Sequence, residues 1–178
     1  MAERNQFRAI AASCMALLSL AVASAVSATT FVPLDQEELA EISDAAVIGA
    51  VVEILSGRDA TTGEIHTDVA LEVGEVLFGE IDASPIVLRQ AGGRVGDDEE
   101  WVYGAPSFAL GERVLVFLSA VGDGSYRTTG MALGKFQVRS AADGSIELVR
   151  DLGEGVQIVA PSGELIADPG AAVTTLSD

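Results

Sequence analysis

Ile65-His66-Thr67-Asp68-Val69-Ala70-Leu71-Glu72-Val73-Gly74-Glu75-Val76-Leu77-Phe78 is the stretch on which the fold turns. Val69, Leu71 and Val73 alternate with Asp68, Ala70 and Glu72, which places the large apolar side chains on one face of a strand. After Gly74-Glu75 the phase slips, and the next large apolar residues are Val76 and Phe78. A one-residue slip at a glycine predicts a β-bulge, which bends a long strand so that its two halves face the core from different directions. Strands bent in this way close small, strongly coiled barrels.

Working outward, Ala46–Leu55 is short, β-branched and bounded by turn residues, which predicts a largely buried strand, with Ser56–Gly63 as a solvent loop. Before it, Asp35 can cap a helix and Glu38 can reach back to it. Leu34, Leu39 and Ile42 then share a face of a short N-terminal helix. Downstream, Pro85–Arg89 predicts a third strand, Gly92–Glu100 the start of a long loop, and Arg113–Leu118 a fourth strand with an almost continuous apolar run. Gly122–Ser125 is a turn into a return strand from Tyr126. Lys135–Arg139 and Ile146–Val149 form a hairpin around Asp143-Gly144, and Val156–Val159 adds an edge strand. The expectation is mainly β: a small antiparallel OB-like barrel over 29–165 with one short N-terminal helix, followed by a flexible tail over 166–178.

Residues 1–28 carry a different signature. Arg4 and Arg8 precede an uncharged Ala/Ser-rich stretch centred on Leu17, Leu18, Leu20 and Val22, which ends in Val26-Ser27-Ala28. That is the layout of a secretory signal, predicting a cut between Ala28 and Thr29, with Ala25 as the alternative. The stretch is too poor in leucine to favour an uncleaved anchor, so no membrane insertion is expected after cleavage. Cleavage would remove Glu3, Arg4, Arg8 and the single cysteine, Cys14, leaving 26 acidic and 8 basic residues, net −18. The expected location is the periplasm or the medium.

Composition excludes several functions. The 178-residue chain has 27 acidic against 10 basic residues, a net charge of −17, which repels nucleic-acid phosphates and anionic membranes. One cysteine cannot make a zinc ribbon, a dithiol or a disulfide framework. At 49% hydrophobic the chain is too apolar for disorder.

Three blocks together, Ala45–Val51, Leu71–Gly79 and Gly104–Leu118, followed by Asp123-Gly124-Ser125-Tyr126 and Gly134-Lys135-Phe136, resemble a group of uncharacterised exported bacterial proteins. The layout is also similar to the netrin-type domain, the OB barrel of tissue inhibitors of metalloproteinases. The resemblance covers roughly residues 40–140 and implies a secreted interaction module. Those inhibitors chelate a protease zinc through an N-terminal cysteine. A chain starting at Thr29 has none, so that mechanism does not carry over.

No catalytic, metal or cofactor constellation is legible. His66, the only histidine, lacks the partners that acid–base or zinc chemistry needs and is expected to be a structural or surface residue. Asp97-Asp98-Glu99-Glu100 lacks the alternating spacing of a calcium loop and predicts a solvated acidic loop. Trp101 and Tyr103 stand beside Arg94 in the longest loop, and Trp, Tyr and Arg dominate binding hot spots. Either Arg94, Trp101 and Tyr103 contact a protein partner, or Trp101-Val102-Tyr103 folds back over one end of the barrel with Pro106 and Phe108 plugging it. The expected function is binding without catalysis. The alternatives are a carboxylate- or metal-dependent hydrolase using residues such as Glu72, Glu75 and Asp97, and a structural envelope component. The sequence leaves the oligomeric state open.

Overall fold

The computed structural model describes residues 29–141, 143–153, 156–160, 162, 165–166 and 172–176. Residues 1–28, with Ala28 of the expected cleavage site, lie outside them, and Thr29 opens the strand β1 (Thr29–Phe31). Asp35 then caps the helix α1 (Gln36–Glu41). The Asp35 carboxylate accepts from the Glu38 amide at 2.9 Å, and the Glu38 carboxylate accepts from the Asp35 amide at 2.9 Å. This reciprocal box satisfies donors that a helix start otherwise leaves open. Asp35→Ala is expected to cost about 1 kcal/mol, seen as a lower urea midpoint at unchanged slope.

Strands β2 (Ala45–Arg58) and β3 (Ile65–Phe78) pair antiparallel along their length. The bulge expected at Gly74 is present: Ile48 pairs with Glu75 and Gly49 with Val73, so Gly74 has no opposite residue. Two further slips were not legible, one skipping Leu77 and one skipping Val52. Both skipped residues are exposed, which is where a bulge sends the extra side chain. Ser56–Arg58 belongs to β2 rather than to a loop, because β3 pairs with it back to Ile65.

β4 (Ile86–Ala91) pairs with β3. The expected loop that follows contains a hairpin of β5 (Gly93–Val95) and β6 (Asp98–Glu100). β7 (Arg113–Ala120) pairs with β2, and β8 (Tyr126–Thr128) pairs with β7. β8 also meets β4, which closes the ring β2-β3-β4-β8-β7. The protein is thus mainly β, with a closed five-strand OB-like barrel.

The sheet is mixed, however, and the expectation of a purely antiparallel barrel is corrected. β4 and β8 run parallel through Leu88 and Tyr126. Parity demands this, because strand direction cannot alternate all the way round a ring of five. The parallel seam is short and side chains brace it. The Arg89 guanidinium donates to both oxygens of Asp68 at 2.8 Å and reaches Asp123, before β8, at 2.9 Å. Gln90 donates to the Thr128 hydroxyl at 3.0 Å.

After a 3-10 turn (Met131–Gly134), β9 (Lys135–Ser140) adds to β7, and β10 (Ile146–Arg150) completes the expected hairpin. This hairpin extends the sheet outside the barrel. β11 (Val156–Val159) pairs parallel with β1 and antiparallel with β12 (Leu165–Ile166). Within the stretch read as a tail, β13 (Ala172–Leu176) pairs with β10.

Two cores explain the unbroken apolar runs of β2 and β7. Val47, Val51, Val114, Val116 and Leu118 pack with Val69, Leu71 and Leu88 inside the barrel. Ala46, Ile48, Leu115 and Phe117 pack outside it with Leu39, Phe136 and Leu148. A strand buried on both faces shows no alternation in sequence. Among the described residues no helix is long and apolar enough to cross a membrane.

Candidate functional site

At one end of the barrel, where β2 and β4 finish and β3 begins, the inward-facing residues change from aliphatic to polar. Ser56 and Thr67 share a hydroxyl–hydroxyl bond of 2.9 Å, and Thr67 donates to the Gly92 carbonyl at 2.8 Å. The β5–β6 hairpin lies directly on them. A Cβ at Gly93 would fall 2.3 Å from the Thr67 hydroxyl, so only glycine permits this approach.

The segment 100–106 leaves β6 and crosses this end as a strap. The Glu100 carboxylate accepts from the Ile65 amide at 2.9 Å, and the Gly104 carbonyl accepts from the Ala132 amide at 2.9 Å. Pro106, at the end of the strap, is buried, and beyond it Phe108 packs against the barrel interior. Lys135 holds this loop down. Its buried Nζ pairs with Glu112 Oε1 at 2.7 Å, donates to the Ser107 carbonyl and lies 4.8 Å from the Phe108 ring centroid.

The side chains of Trp101 and Tyr103 do not fold back onto the barrel end as the capping alternative has them. They are 65% and 41% exposed and meet edge to face, with ring centroids 6.5 Å apart and planes at 78°. Such pairs orient each other without a surrounding core. The two expectations for this loop therefore separate by residue: Pro106 and Phe108 cover the barrel, whereas Trp101 and Tyr103 stand outside it. Beside Trp101 opens a cleft of about 270 Å³ lined by Ile54, Val69, Val102, Pro106 and Phe108, with Arg94 and Glu99 at its edge. Arg94, Trp101 and Tyr103 thus lie together on one surface, and Arg94 and Trp101 line the cleft directly.

The acidic run is not a free loop. Asp98 pairs with Arg58 and Glu99 with Arg94, each at 2.6 Å, and Glu100 caps Ile65 as described. Both ion pairs are exposed, so each contributes little to stability. Among the described residues no three His, Cys, Asp or Glu side chains gather as a metal site.

His66 faces the other side of the strap, half-buried, with Nε2 3.9 Å from Asp68 Oδ2. A second cavity of about 440 Å³ there is lined by His66, Arg89, Arg127, Glu64 and Met131. The Arg89 hydrogen bonds hold the Asp68 carboxyl below its ordinary range. Glu72 and Glu75 are exposed far along β3 from the Asp97 turn, and none of the three lines either cavity beside the strap.

Ile54, Gln90 and Phe108, which build the cleft and its floor, carried no signal as a group, since they come from β2, β4 and a loop. Comparison with known family models, curated proteins and solved structures finds no match.

Proposed function

We propose that the protein is an exported acidic binding domain that docks a protein partner through the 91–108 segment, with Arg94, Trp101 and Tyr103 as contacts, and that it acts by binding rather than by chemistry. The observation that carries this reading is the exposed Trp101–Tyr103 pair, held on a braced strap beside an open apolar cleft. Rigid aromatic side chains presented at low entropic cost are what interface hot spots require.

Export rests on the signal-like segment 1–28 and the resemblance of the layout to secreted netrin-type modules. A chain isolated from the periplasm or medium should begin at Thr29 on N-terminal sequencing. One that retains Met1 in the cytoplasm would remove export from the proposal. For binding, the Trp101→Ala/Tyr103→Ala variant should lower the unfolding free energy measured in urea by no more than about 1.5 kcal/mol, the worth of the aromatic pair it deletes, because neither ring belongs to the buried core. The same variant should weaken partner capture by about tenfold or more. Unchanged capture, or unfolding of the variant, would return these side chains to a structural role.

A further inference from the structure

We infer that the cleft beside Trp101 receives a cationic peptide segment, one that seats an apolar side chain among Ile54, Val69, Val102 and Phe108 and lays an adjacent Lys or Arg against Trp101. This deepens the binding proposal above and rests on it. The first support is size. At about 270 Å³ the cleft falls just below the ~300–1,000 Å³ of sites that enclose small molecules, and it is open to solvent along the strap. It therefore suits a side chain presented on an extended backbone.

The second support is charge. Glu99 and Glu100 line the cleft beside Arg94, and Asp97 and Asp98 stand in the same hairpin; among the described residues the ion pairs made by these four acids are with two guanidiniums, Arg58 and Arg94, within a chain of net charge −17. Asp98 and Glu99 are held in exposed pairs that an incoming cation can share, and Asp97 stands in the exposed hairpin turn. The same field opposes a second copy of this chain and any anionic ligand. The third support is the indole. Trp is the strongest aromatic partner for a cation, and Trp101 is orientated by Tyr103 while most of its surface stays open.

Trp101 is the only tryptophan, so its fluorescence reports the cleft without background. The full chain is titrated with three acetylated, amidated hexapeptides identical except for a central Leu-Arg, Leu-Gln or Leu-Glu. The Leu-Arg peptide should bind about tenfold more tightly than the Leu-Glu peptide, with the advantage shrinking severalfold between about 20 and about 200 mM salt. Asp97→Asn/Glu99→Gln, confirmed folded by circular dichroism, should abolish the difference. Equal affinity for all three peptides, or preference for Leu-Glu, would overturn the cationic assignment while leaving the cleft as a docking site. No fluorescence response to any of them would overturn the docking site as well.

Discussion

Lys135→Met is expected to destabilise the protein by about 3–5 kcal/mol, the cost of leaving a buried charge without its partner. Lys135 is the only lysine in the chain, and it is buried. Glu112, its partner, is almost equally shielded and also accepts from the Ala109 amide at 3.0 Å. Methionine would match the length of the lysine stem and keep contact with Phe108, so the loss reports charge rather than packing. Adding Glu112→Gln to the same chain removes the stranded carboxylate and should recover most of the stability. Urea unfolding of the single and double variants checks both. A single variant within about 1 kcal/mol of the parent would mean that water or another group reaches Glu112 and that the pair does not hold the loop. The consequence for function is indirect: Ser107 and Phe108, which Lys135 pins, form one wall of the cleft.

Gly49→Ala should cost about 3 kcal/mol, at the upper end of overpacking. The site lies where Gly49 of β2 pairs with Val73 of β3, beside the Gly74 bulge. A Cβ there would stand 2.5 Å from the Glu72 carbonyl oxygen and 2.9 Å from Leu71 Cγ. The first obstacle is backbone within a ladder and cannot rotate away, so the two strands would have to separate and the barrel to open. Gly57→Ala on the same strand is the control. Its Cβ would meet only the ring of His66, at 3.3 Å, and this change should stay within about 0.5 kcal/mol of the parent. If the two variants unfold at the same urea concentration, the close approach of β2 and β3 at Gly49 is not what coils the barrel.

Legibility followed the range of the interaction. The Asp35–Glu38 box and the Gly74 bulge are local, involving residues a few positions apart or a break in a two-residue period, and both stand where the sequence placed them. The bulges at Val52 and Leu77 gave no such signal, because neighbouring apolar residues hide a slip in phase. The β5–β6 hairpin was masked by its composition. Asp97-Asp98-Glu99-Glu100 is poor strand sequence, and it is ordered by Arg58, Arg94 and the Ile65 amide, contributed by other parts of the chain or across the hairpin.

The candidate site divides in the same way. Arg94, Trp101 and Tyr103 stand out as candidates by residue type alone, because aromatics are scarce in this chain and two of them fall beside an arginine in its longest connection. Which aromatics would be covered and which exposed was decided by Lys135 and Glu112, whose attraction draws Phe108 down and leaves the strap outside. The sequence by itself determined the central stretches of β2, β3, β4, β7, β9 and β10, the capped helix, the bulge at Gly74 and the acidic character, since each depends on neighbours in the chain or on a simple count. Only the tertiary structure decided the parallel seam, the cleft and the burial of the single lysine. Each of these requires segments distant in sequence to meet, and pattern along a chain carries no record of which charge will face which across a closed ring.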